Sequence, residues 1–139
     1  MTQKDKKLLL KELCARVPYR VKVRIDVSHD CFLIENITTL FWNPDDEYAC
    51  INDYKIDSVK PYLFPMSSMT EEQRNEFLEV ITPALVEAIS DCVDFTKSVT
   101  LTGVKSDVVS IDWLNKNHFD YNDLISKGLA IDATGLNIY

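Results

Sequence analysis

Glycine is scarce. The 139 residues contain only Gly103, Gly128 and Gly135, and a backbone cradle for phosphate needs more than these. No GxGxxG, GxxxxGK[ST] or GxSxG pattern occurs, so nucleotide-dependent chemistry is not expected. No apolar run approaches the roughly 18 residues needed to cross a bilayer. The start MTQKDKKLLLKEL has three consecutive leucines before charge returns, which fits neither a signal peptide nor an anchor. CxxC pairs are missing too. Cys14, Cys31, Cys50 and Cys92 each lie in an apolar or alternating segment, where free buried thiols in a reducing cytoplasm are the expectation.

Histidine is almost as scarce, and this limits the chemistry on offer. A zinc site drawn from His29, Cys31, Cys14, Cys50, Cys92 and His118 would need four convergent ligands, and none of the spacings forms a knuckle. A nucleophile pair would combine Cys31 or Cys92 with His118 as base and Asp120 as its orienter, without any surrounding motif. Both histidines fall at expected turns, where a solvated side chain is the plainer reading. Asp45 with Asp46, and Asp91 with Asp94, read as solvated turn and helix faces. No catalytic, cofactor-binding or metal-binding residue is assigned, and no cofactor is expected.

The composition is that of a folded chain, with 46% hydrophobic and 27% charged residues. At this length one domain, spanning residues 1–139, buries roughly two thirds of its unfolded surface. Charge is distributed unevenly. Residues 1–24 hold eight Lys/Arg against two acids, a net +6, whereas residues 25–139 hold seven against twenty, a net -13. The acidic bulk should repel nucleic acid and membrane. The basic start either pairs with that bulk, within the chain or across a homodimer, or reaches a polyanion.

Periodicity gives an α+β order. Leu9, Leu10, Leu13 and Val17 form one stripe of a helix from Lys4 to Val17, capped by Thr2 and ended by Pro18. YRVKVRIDV (19–27) then alternates, with Tyr19, Val21, Val23, Ile25 and Val27 on the core face. After a turn at Ser28, His29 and Asp30, short strands are expected at 31–35, 37–42, 47–51 and 54–59, with turns at 43–46 and at Asn52 and Asp53. Together they make a small antiparallel sheet, in an SH3-like or half-barrel shape. The stretch 60–69, with two prolines, reads as an irregular connector. Thr70 and Gln73 have capping-box spacing ahead of Phe77, Ile81, Leu85, Ala88, Ile89 and Cys92, with Pro83 splitting or kinking the helix. A sixth strand is expected at 98–104. Ser110 and Asp120 would cap two short helices, the second stopped by Gly128, before extended pieces at 129–131 and 136–139.

VKPYLFPMSSMTEEQ (59–73) and DWLNKNHFDYNDLISKGLAIDA (112–133), about a quarter of the chain, resemble blocks of a group of small uncharacterised proteins of gut Bacteroidetes and their prophages. The resemblance implies a phage or mobile-element origin. It carries no activity, cofactor or catalytic residue.

The expected function is therefore non-enzymatic: a small cytoplasmic accessory protein that binds a macromolecular partner, most simply a protein. The alternative is a nucleic-acid-associated module using Lys6, Lys7, Lys11, Arg16, Arg20, Lys22 and Arg24. Alternate residues of a strand lie about 6.6 to 6.8 Å apart, close to phosphate spacing, but the 20–24 stripe has no aromatic side chain between its cations for base stacking. The contact residues singled out are Lys7, Lys11, Arg20, Lys22 and Arg24. A small enzyme whose site is assembled from scattered residues is the remaining class.

Overall fold

Thr2 and Asp5 open the first helix by a reciprocal cap. The Thr2 hydroxyl accepts from the Asp5 amide at 3.2 Å and the Asp5 carboxylate accepts from the Thr2 amide at 3.1 Å. The computed structural model describes residues 1–43, 48–88 and 108–139. Helix α1 spans Gln3–Arg16 and ends as Val17–Tyr19 tighten into a 3-10 turn around Pro18. Arg20 follows in the left-handed region at φ 51, so strand β1 begins at Lys22, later than the alternation suggests, and runs to Ser28.

β1 pairs antiparallel with β2 (Cys31–Asn36). The next hairpins form a separate three-stranded meander, β3 (Leu40–Asn43), β4 (Tyr48–Ile51) and β5 (Tyr54–Lys55). Asn52 and Asp53, at φ 47 and 69, make the two-residue turn between β4 and β5 in the mirror-image geometry that suits a twisted hairpin. The Asn52 side chain then ties the two sheets together. Its Oδ1 accepts from the amides of Thr38 (2.9 Å) and Thr39 (3.1 Å), and its Nδ2 donates to the Asn36 carbonyl at 2.8 Å.

The expected irregular connector is instead strand β6 (Val59–Pro65), which lies between β1 and the C-terminal strands of the main sheet. Two prolines fit because of where their nitrogens fall. Ile37 donates to the Val21 carbonyl at 3.1 Å, so Val21, and by alternation Val23 and Ile25, turn their backbone groups toward β2. Pro61 sits opposite Val23, where no hydrogen bond to β1 is due, and its missing N–H costs that ladder nothing. Pro65 ends the strand. β6 pairs in parallel with β7 (Phe119–Asp120) and β8 (Ile131–Asp132), so the main sheet is mixed rather than wholly antiparallel.

Helix α2 runs over Glu71–Ala88 through Pro83, so of the two expected outcomes, a split or a kinked single helix, the split does not occur within it. Its start shows the capping box, with Thr70 and Gln73 exchanging bonds of 3.0 and 3.1 Å. Helix α3 spans Val108–Lys116; Ser110 lies inside it rather than at its cap. Asp120 does accept from the amides of Leu124 (2.9 Å) and Ile125 (2.8 Å), yet the segment it holds is a series of turns, not a second helix. The expected turn residues 44–46, Ile89, Cys92 and the 98–104 strand lie outside the described residues. The fold is α+β, with Leu9 and Leu13 of α1 packed against Val23, Ile25, Val59 and Leu63. A second cluster joins Phe77 and Ile81 of α2 to Trp113 and Leu114 of α3 and to Phe119.

Candidate interaction surface

β2 has the sequence of a buried strand but lies at the border of its sheet. It pairs with β1 on one side, and among the described residues no strand pairs with its other side. All six of its residues are exposed, including Phe32 (48%), Leu33 (41%) and Ile34 (43%). Cross-strand partners share a face. Phe32 and Ile34 therefore stand with Asp26 and Arg24 on the outer face, and Leu33 stands beside Ile25 on the other.

The same hydrogen bond that orients Val21 orients this edge. Ile37 faces β1, so Glu35 and Leu33 do as well, and the N–H and C=O groups of Phe32, Ile34 and Asn36 turn outward. Asn52 already occupies the outward Asn36 carbonyl. The backbone groups of Phe32 and Ile34 remain directed away from the sheet.

Arg24 borders this strip. Its Nε donates to Asp26 Oδ1 at 2.7 Å, and its guanidinium carbon lies 4.2 Å from the centre of the Phe32 ring. The aromatic neighbour that the basic stripe lacks in sequence thus comes from the adjacent strand. Of the other singled-out cations, Lys22 alone shares the outer face of β1 with Arg24. Lys7 and Lys11 are exposed on α1, Arg20 is exposed in its left-handed turn, and Lys22 is half-buried on β1. Lys6 pairs with Asp57 at 2.8 Å. Arg16 is wholly buried, which removes it from any surface array.

Arg16 belongs to a second polar constellation, inside the protein. Its Nη2 donates to Glu12 Oε2 at 3.2 Å and to the Phe119 carbonyl at 2.8 Å, and its guanidinium lies 5.2 Å from the centre of the Tyr121 ring. Asn122 donates to the other Glu12 oxygen. Tyr121 donates to Asn115 at 3.0 Å, and burial, followed by the Glu12 charge, raises its phenol above the ordinary range.

His118 is not the wet surface histidine that its turn position suggests. Its ring stacks on Tyr139 with centroids 4.0 Å apart, and its Nδ1 is buried without a hydrogen-bond partner. Burial, and then the Arg16 charge, pushes its pKa down to about 4. Tyr139 is 44% exposed as a residue, but its hydroxyl is inserted between strands, donating to the Tyr62 carbonyl at 2.7 Å and accepting from the Lys22 amide at 3.1 Å. Desolvation there raises the phenol to about 12.

The contacts of this constellation join α1, β1, β6 and the C-terminal segments. Asp120 spends both carboxylate oxygens on backbone amides, so it does not orient His118. Cys31 is exposed at the end of β2 and Cys14 is exposed on α1, while Cys50 is half-buried; the expectation of buried thiols fails for the first two. His29 is fully exposed at its turn. Among the described residues no three His, Cys, Asp or Glu side chains could jointly hold a metal ion. An open depression of about 490 Å³ near Asp26, Tyr54, Lys55 and Asp57 holds no histidine or cysteine. No helix among the described residues is long and apolar enough to cross a membrane. Comparison with protein families, with curated proteins and with solved structures finds no match.

Proposed function

We propose that the protein is a non-enzymatic accessory module of phage or mobile-element origin, working in the cytoplasm by binding a protein through the β1–β2 ribbon. One observation carries this reading: Phe32, Leu33 and Ile34 form an exposed apolar strand whose outward backbone groups can pair with another strand. Proteins that keep such an edge free usually guard it with lysine, proline or a bulge within it. Residues 31–36 contain neither lysine nor proline, only Glu35 as a charge. A strand of a partner would gain main-chain hydrogen bonds from the edge and side-chain contacts from the two apolar faces.

Nucleic acid is a poorer fit for this surface. The cations of residues 1–24 are dispersed over α1, a turn and β1, and Arg24 is already paired with Asp26.

The test is a photo-crosslinking phenylalanine analogue at position 32 in the natural host, with position 123 as control. The expected result is one discrete protein adduct at 32 and none at 123. The purified partner should then bind the wild-type chain and lose at least tenfold in affinity to Ile34→Lys, but not to Lys11→Glu. No adduct at 32, or binding that is lost to Lys11→Glu and falls steeply with salt, overturns the reading.

A further inference from the structure

The strand that fits the β2 edge best is β2 itself. Resting on the reading of the ribbon as a binding surface, we infer that a second copy of this chain pairs antiparallel with β2, in one register centred on Leu33.

Backbone geometry limits the register, and the side chains select it. A two-fold axis perpendicular to a continuous sheet keeps each face on its own side, so residues facing each other across the axis must have the same parity. Only registers centred on a residue, not between residues, meet this condition. The outward backbone groups belong to Phe32, Ile34 and Asn36, and Asn52 has taken the Asn36 carbonyl. Centring on Ile34 would set Phe32 against Asn36 of the second copy and, by symmetry, forfeit two bonds to that occupied carbonyl, one in each copy. It would also set Arg24 at both ends of the row through Ile34, and Leu33 against Glu35. Centring on Leu33 sets Phe32 against Ile34 of the second copy, and Ile34 against its Phe32, forming four main-chain hydrogen bonds between groups that already point outward.

The side chains agree with the same register. On the outer face it builds a row from Arg24 through Ile34 to Phe32 and Asp26 of the second copy, repeated in reverse by symmetry. Each row has a cation at one end, a carboxylate at the other, and an aliphatic–aromatic pair between them. On the opposite face Leu33 meets Leu33, flanked by Ile25 from each copy. Glu35 falls opposite Cys31 and Asn36 opposite Asp30, so no carboxylate faces a carboxylate. Residues 22–36 hold Lys22 and Arg24 against Asp26, Asp30 and Glu35, a near-neutral patch on a chain of net charge -7. The patch itself therefore adds little to the general repulsion between two acidic molecules. Such an edge contact is small, which places it among concentration-dependent associations rather than permanent dimers.

Sedimentation of the purified full chain, together with cysteine crosslinking, tests the inference. The mass should rise from 16.0 kDa toward twice that value as concentration increases through the micromolar range, and Ile34→Lys should weaken the association at least tenfold without lowering the melting temperature. In a variant whose four native cysteines are replaced by serine, Leu33→Cys should oxidise to a covalent dimer several-fold faster than Ile34→Cys. Equal rates, or a faster Ile34→Cys, overturn the register. A chain that stays monomeric to millimolar concentration, or a dimer indifferent to Ile34→Lys, overturns self-pairing altogether. If that monomer still yields the position-32 adduct in the host, the edge serves another protein and the binding reading stands; if neither appears, both fall.

Discussion

Arg16 and Glu12 bring opposite charges into a region where neither reaches water, and the protein answers with direct contacts: the ion pair, the Phe119 carbonyl and the Asn122 amide. A buried pair of this kind is worth little against an apolar replacement, but removing one member strands the other. Glu12→Ala should therefore lower unfolding free energy by about 3–5 kcal/mol in a denaturant titration, and Glu12→Leu combined with Arg16→Met should recover most of that loss. A double variant as unstable as the single one would show that the pair does more than neutralise itself. His118 makes a pH-dependent prediction. Its pKa is about 4 when folded, against about 6.5 unfolded. Between those values the unfolded chain binds the extra proton, so stability is full above about pH 6.5 and declines as pH falls toward 4. His118→Asn does not titrate and tolerates the left-handed backbone at φ 60. Melting temperature should drop less steeply for this variant than for the native chain over the same interval; parallel curves would refute the buried-neutral assignment.

Element by element, the sequence exposes whatever local chemistry determines. The Thr2 cap, the Thr70–Gln73 capping box, the α1 stripe through Leu9 and Leu13, and the buried alternation of Val21, Val23 and Ile25 are all written in short-range spacing. Val23→Asp should accordingly unfold the protein or cost about 4 kcal/mol or more by forcing an unpaired charge into the core. Lys22→Asp, on the opposite face, should cost about 1 kcal/mol or less. Equal losses in a thermal melt would contradict the assignment of faces. β6 was not legible, because Pro61 and Pro65 argue against a strand unless the partner on each side is known. Val27 breaks the alternation, 52% exposed where the pattern puts it inside, because the β1–β2 register shifts between Asp26 and Ser28. The Asp120 segment misled for a similar reason: its carboxylate caps backbone amides in a turn as readily as in a helix.

At the scale of the whole molecule, α1 is part of the fold rather than a loose basic arm, since Leu9 and Leu13 are fully buried in the main core. The five contact cations were visible as residues, but their dispersal over three elements was not, and neither was the strip that replaces them. CFLIEN looks like any interior strand until topology places it at a sheet border. Arg24 alone joins the two pictures, because β2 supplies Phe32 beneath it. If the β2 edge is open in the isolated molecule and is used for contact, its outward amides stay unprotected until a second strand pairs with them. Residue-resolved amide hydrogen exchange across a dilution series tests it most directly. At low concentration the Leu33, Glu35 and Ile37 amides, which face β1, should exchange slowly while those of Phe32 and Ile34 exchange quickly. Phe32 and Ile34 should become protected as concentration rises or partner is added. Protection of both amides at every dilution, with no partner present, would mean that the chain covers its own edge and that this edge binds neither a second copy nor a partner.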